Sequence, residues 1–154
     1  MEVYRICLAK FAGSLVASGI KGRWNQKGSF VIYTAGSRAL ACLENVVHRS
    51  GEGLSDNFRT LVITIPDDLK IETIAVKKLP PEWQKFKGYP ACQVLANEWY
   101  QNQKSAVLRV PSSIIPEEFN YILNTRHPDF QKISIKSVEE FFFDPRLKAE
   151  ITGL

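Results

Sequence analysis

The sequence predicts an α+β domain: a mostly antiparallel sheet with helices packed on it, in one compact unit over residues 1–154. Three observations predict it. Short β-rich runs bounded by Gly, Pro, Asn or Asp outnumber helical patterns. Only two segments carry apolar residues at helical spacing. The strict strand–helix–strand alternation of a parallel sheet is missing. A hydrophobic fraction of 45% and a charged fraction of 23% over 154 residues allow one sizeable core in a soluble globular protein.

Residues 2–8, EVYRICL, alternate Val3, Arg5 and Cys7 against Tyr4, Ile6 and Leu8, a first strand with Arg5 on one face. Residues 10–21 are small and glycine-containing and read as loop. Gly22 and Gly28 then bracket a short loop carrying Arg23, Trp24 and Asn25. Residues 29–34 are a β-rich run holding Tyr33, and Ala35-Gly36 is a turn. Ser37 is a good N-cap and Gly51 a good C-terminal stop for a first helix. On it, Ala39, Leu40, Cys42, Leu43, Val46 and Val47 form one broad apolar arc. At about 100° per residue, Glu44 falls roughly 40° beyond Leu40, at the arc's edge. A carboxylate there can point along the core boundary into a cleft, or it can be a solvated flank residue.

Residues 51–57 are loop, 58–65 a strand ended by Pro66, and 71–76 a short strand stopped by Pro80-Pro81, with a single turn at Glu82-Trp83. Residues 89–101 form the second helix, whose Cys92, Leu95, Ala96 and Trp99 make a core stripe. Residues 105–110 are apolar except Arg109, as in a strand covered on both faces, and Pro111 ends it beside Ser112 and Ser113. Residues 120–129 read as loop, with His127 capping a turn, and residues 133–143 contain a late strand.

Composition excludes several classes of function. No run of eighteen apolar residues exists, so no membrane span is expected. Glu2, Arg5 and Lys10 interrupt the N-terminal apolar stretch, which argues against a signal peptide. Cys7, Cys42 and Cys92 lack CxxC spacing and read as reduced core thiols of a cytoplasmic protein. P-loop, GxGxxG, HExxH and zinc spacings are absent. His48 follows Glu44 by one helical turn, but two ligands make a poor metal site, so no metal is expected. A Cys–His nucleophile stays open, although Cys42 sits inside the apolar arc, where thiols are inert. The net charge of +4 is uneven: seven Lys and Arg against two Glu in residues 1–50 give +5, leaving −1 for the rest. A basic first third invites an anionic partner.

Arg23, Tyr33 and Glu44, with Arg5 upstream, remain as chemistry. Arginine offers a planar fork for diphosphate or carboxylate. Tyrosine offers a flat ring and a hydroxyl. A carboxylate can stabilise an oxocarbenium-like centre and bind a neighbouring ribose hydroxyl. Together they suit a nucleotide sugar whose C1–N bond is to be broken. Each has a mundane alternative, such as a surface ion pair for Arg23 and a strand aromatic for Tyr33.

The motifs carry a resemblance. They are YRI at residues 4–6, GRWN at 22–25, VIYTA at 31–35 and ALACLE at 39–44. Further on come RVPSSIIP at 109–116, NYILN at 120–124, HPDF at 127–130 and FFDPRL at 142–147. In this order they resemble the RES-domain toxins of RES–Xre toxin–antitoxin systems over nearly the whole chain. Thr125 departs from the pattern, since such proteins more often have proline after the asparagine. The resemblance implies a fold akin to ADP-ribosyltransferases and an activity that consumes NAD⁺ as substrate. It implies Arg23, Tyr33 and Glu44 as the core of the active site and Arg5 and Ser112 as substrate contacts. Asn25 joins these by adjacency to Arg23. The acceptor of ADP-ribose stays open among water, phosphate and protein. The expected partners are a cognate Xre-type antitoxin and a second copy of the chain within the antitoxin complex.

Two other readings stand beside this one. Lys21, Arg23 and Lys27 around Trp24 have the charge and aromatic content of a nucleic-acid-binding module. An antitoxin-binding scaffold without turnover is the third.

Overall fold

The computed structural model describes residues 1–147; residues 148–154 of the expected domain lie outside the described residues. The strands are β1 (Glu2–Leu8), β2 (Val31–Ala35), β3 (Phe58–Thr64), β4 (Ile71–Thr73), β5 (Val107–Pro111), β6 (Phe119–Asn124) and β7 (Ser134–Phe141). They form one sheet in the order β4-β5-β6-β2-β1-β3-β7. Every pairing is antiparallel except β4 with β5. Two α-helices, α1 (Arg38–His48) and α2 (Tyr89–Gln101), pack on it. This is the expected α+β architecture.

Strand alternation divides the core. Val3, Cys7, Ile32, Leu61, Ile63, Val107 and Leu123 lie on one face of the sheet. On the other, α2 buries Cys92, Ala96 and Trp99 against Val31, Leu108, Val110 and Ile122. On that same face α1 sets Leu40 and Ala41 against Ile6, Ala35 and Phe58. The stripe on α2 is therefore core, and the Trp99 indole donates to Ser105 Oγ at 2.8 Å.

Three expectations need correction. Residues 120–124 are not loop: β6 is a central strand, paired with β2 on one side and β5 on the other. Asn120 and Asn124 and the turn residues after them resemble loop punctuation, but the apolar run between them is buried at Ile122 and Leu123. The buried arc of α1 is also rotated from the pattern: Ala41 is buried while Ala39 and Val47 are exposed. Glu44, one turn on from Leu40 and Ala41, thus faces the sheet rather than the edge. Third, the strand expected at residues 71–76 ends at Thr73, and a 3-10 turn takes Val76–Lys78.

Ser37 does cap α1, accepting from Leu40 N at 3.1 Å. Gly51 closes the helix as expected: Gly51 N donates to Val46 O and Ser50 N to Val47 O, and Ser50 at φ 52° and Gly51 at φ 71° both take left-handed backbone. His127 caps its turn, Nδ1 accepting from Asp129 N at 3.0 Å.

Candidate active site

Two clusters of polar side chains meet on the α1/α2 face of the sheet. The first is built by the loop at residues 22–25. Gly22 and Asn25 bridge each other through their backbones, and Gln93 of α2 donates to Gly22 O at 2.8 Å. The Tyr33 hydroxyl reaches in from β2, accepting from Trp24 N at 2.9 Å and donating to Asn25 Oδ1 at 2.5 Å. A Cβ on residue 22 would lie 2.6 Å from that hydroxyl, so only glycine fits there. Burial pushes the Tyr33 phenol well above its ordinary range, with the bond from Trp24 N pulling back in part.

This loop presents Arg23. Its guanidinium donates to the backbone oxygen of Trp83, and to that of Gln84 at 2.7 Å, and stacks 4.3 Å over the Tyr89 ring. Of the five N–H donors of a guanidinium, two are used there. Trp24, by contrast, is buried against Trp83. Asn25 is 3% exposed; its Nδ2 donates to Ile20 O, Gln26 O and Ser29 O, and its Oδ1 takes the Tyr33 proton. Its polar atoms are all used inside the loop, so its visible part is loop construction rather than the substrate contact expected of it.

The second cluster centres on Glu44. Its Oε1 accepts from Ser112 Oγ at 2.8 Å and from Asn120 Nδ2 at 2.7 Å. Ser112, just past β5, is fully buried, and its oxygen also accepts from Ile114 N and Ile115 N. The clusters adjoin through β2 and β6. Tyr33 pairs with Ile122 and Ala35 with Asn120, so Asn120 is the diagonal neighbour of Tyr33 on the same face. Such neighbours lie about 7–8 Å apart.

Arg5 sits elsewhere. β1 meets β2 at a single pair, Tyr4 with Ala35, and Arg5 is the next residue. Alternation sends it to the face of Val3 and Cys7, opposite Tyr33 and Glu44. Burial raises the Cys7 thiol, and Arg5 beside it pulls it back in part. The structure thus joins Arg23, Tyr33 and Asn25 in one network and Glu44 and Ser112 in another, and leaves Arg5 apart. Sequence reading missed Asn120 and Gln93. Asn120 lay in a stretch read as loop, and Gln93 follows Cys92 on the flank of the α2 stripe. No group of three His, Cys, Asp or Glu side chains that could hold a metal occurs among the described residues. Nor is any described helix long and apolar enough to cross a membrane.

The described residues form a seven-stranded, mostly antiparallel sheet with two α-helices on one face, which defines a class of small α+β domain. The chain matches the crystal structure of the M. tuberculosis MbcT-MbcA toxin–antitoxin complex with a TM-score of 0.74 at 17% identity, over 92% of this chain and 84% of that one. That likeness is one of fold. The RES domain model matches residues 2–144, and the chain belongs to the RES domain family. It is 38% identical over 141 residues to the "Prs ADP-ribosylating toxin" of Sphingobium sp. (strain YBL2), covering 88% of each chain. It is 35% identical over 154 residues to "Toxin Res" of Yersinia enterocolitica, covering 96% of this chain and 100% of that protein.

Proposed function

We propose that the chain is the toxin of a toxin–antitoxin pair and consumes NAD⁺ by cleaving the bond between nicotinamide and ribose. Family membership and the names of the relatives support the role. The observation that carries the chemistry is the state of Glu44. It is a half-buried carboxylate held by two uncharged donors through one oxygen, with no ion pair among the described residues. A carboxylate fixed by neutral groups has no cationic partner to displace when a cation arrives with the substrate.

In this reading Arg23 holds the diphosphate with its remaining N–H donors. The ring of Tyr33, its hydroxyl committed to the loop, stacks against nicotinamide. As the C1–N bond breaks, its electron pair leaves with nicotinamide and positive charge spreads over C1 and the ring oxygen. Glu44 stabilises that charge and binds a ribose hydroxyl. An acceptor then bonds to C1 and releases its proton. The Sphingobium relative's name specifies ADP-ribosylation, which favours transfer of ADP-ribose over its release to water. Ser112 orients Glu44. Arg5, on the opposite face of the sheet, takes no part in this reading, and a second copy of the chain within the antitoxin complex rests on resemblance alone. The partner is an Xre-type antitoxin that silences the enzyme, and the solved neighbour is itself a toxin–antitoxin complex.

The nucleic-acid reading is weakened by Trp24, the aromatic on which it depended, because that ring is 3% exposed and cannot stack on a base. Incubating the purified protein with NAD⁺, with and without phosphate and with and without a bacterial lysate as a source of protein acceptors, and following nicotinamide by chromatography tests the proposal. Nicotinamide should appear in step with NAD⁺ loss. Intact NAD⁺ after prolonged incubation with folded protein would refute it and favour the scaffold.

A further inference from the structure

We propose that Asn120 is a positioning residue for Glu44, forming with Ser112 a two-donor clamp that leaves the second carboxylate oxygen free for the substrate. The proposal rests on the reading of Glu44 given above. Both donors bond the same atom, Oε1, at 2.7 and 2.8 Å. Each has its orientation forced. A carboxylate only accepts, so the amide must turn Nδ2 toward it. The Ser112 oxygen already accepts from Ile114 N at 3.1 Å and Ile115 N at 3.2 Å, which directs its single proton to Glu44.

Asn120 bears a cost in this arrangement. With Nδ2 on Glu44, its Oδ1 is buried without a hydrogen-bond partner among the described residues. Buried amide oxygens nearly always find one. Its neighbours on this face, Val110 across the sheet and Ile122 along the strand, are fully buried hydrophobics. An apolar residue here would leave no buried acceptor without a partner. The asparagine carries an orphaned acceptor, and the one side-chain bond it makes among the described residues is to Glu44. Glu44 hangs from α1, while both of its donors belong to the sheet or its edge. The clamp therefore ties the carboxylate to the surface that carries Tyr33, independently of small shifts of the helix.

The test is the Asn120→Ala variant, read in three ways. Its melting temperature should change little, because the lost hydrogen bond to the carboxylate is offset by removal of the orphaned oxygen. Its kcat for NAD⁺ should fall on the order of 10–100-fold with KM within about threefold, as for a misplaced catalytic group. In the Glu44→Gln background it should cost nothing further. A crystal structure of Asn120→Ala should show the Glu44 carboxylate rotated or in more than one rotamer. If the single variant folds poorly, the isosteric Asn120→Asp, which sets a second carboxylate against Glu44, takes its place with the same expected kinetic pattern. Glu44 unmoved in the crystal, kcat within twofold of the parent, or an equal loss in the Glu44→Gln background would each overturn the proposal. A parent protein without turnover would instead overturn the enzymatic reading, and the crystallographic arm would still decide whether Asn120 positions Glu44.

Discussion

Replacing Glu44 by glutamine separates its structural role from its chemical one. Glutamine keeps the length of the side chain and one carbonyl oxygen, which can accept from both Ser112 Oγ and Asn120 Nδ2 as Oε1 does. What changes is charge. A hydrogen bond to an ionised group contributes about 1 kcal/mol more than a neutral one, so two bonds lose about 2 kcal/mol. For a domain of this size that is a fall in melting temperature of roughly 4–8 °C, which leaves the protein folded at 37 °C if the parent melts in the usual mesophile range. Turnover should fall much further. A lost electrostatic contact to the transition state costs about 3–4 kcal/mol, or 10²–10³ in rate, with little change in NAD⁺ affinity. The assay pairs purified-protein turnover with NAD⁺ levels and growth in cells expressing each form. A folded Glu44→Gln protein that still depletes NAD⁺ fully would show that no charge at Glu44 is needed, and the mechanism would fail.

Arg23→Ala removes two bonds to the carbonyls of Trp83 and Gln84 and a stack on Tyr89, so roughly 1–2 kcal/mol of stability should go. NAD⁺ affinity, titrated calorimetrically in the Glu44→Gln background so that the ligand survives, should fall at least about tenfold; unchanged affinity would remove Arg23 from the site. Tyr33→Phe strands the Trp24 N–H and Asn25 Oδ1 and should cost about 2–4 kcal/mol in thermal or urea melts, yet the folded fraction should keep its turnover because the ring remains. Lost turnover at full stability would give the hydroxyl to the chemistry. Burial raises the thiols of Cys7 and Cys92 and the phenol of Tyr33, so the folded state holds these protons longer than the unfolded chain does. That contribution is complete below the unfolded values, about 8.5 for a thiol and 10 for a phenol, and is lost as pH rises through the raised folded values. Urea melts from pH 7 to 10 should show stability falling with pH, and Cys7→Ala/Cys92→Ala should flatten the slope between 8 and 10.

Much of the fold was legible because local signals and burial agree. β1 sends Val3 and Cys7 to one face of the sheet and Tyr4, Ile6 and Leu8 to the other as its sequence does, α2 buries the stripe its spacing predicts, and Ser37 caps α1. The site was legible in its parts but less in its connections. Arg23, Tyr33 and Glu44 are polar groups on or beside ordered elements, which a sequence can reveal. That the Tyr33 hydroxyl is consumed by Trp24 and Asn25, and that Arg23 rests on carbonyls some sixty residues away, are long-range facts with no local trace. The error at β6 had a physical source. Asn120 and Asn124 are both turn formers by propensity, yet each sits within a ladder, Asn120 opposite Ala35 and Asn124 opposite Val31. Tertiary pairing overrode the propensity, as it commonly does in strands.

That pairing also explains why its register matters to the chemistry. A slip of one residue between β2 and β6 would turn Asn120 to the opposite face and dissolve its bond to Glu44 while leaving Tyr33 in place. The register is pinned at both ends by threonines. Thr34 Oγ1 donates to Tyr121 O at 2.7 Å, and Thr125 Oγ1 donates to Phe30 O at 2.7 Å, with Thr125 N reaching the same oxygen at 3.1 Å. By the resemblance noted in the sequence, Thr125 stands where such proteins more often carry proline. A proline has neither the hydroxyl nor the N–H, so both bonds to Phe30 would vanish, and its ring would stiffen the turn instead. In this chain hydrogen bonds hold the strand end, and through it the distance between the loop that presents Arg23 and the clamp that holds Glu44.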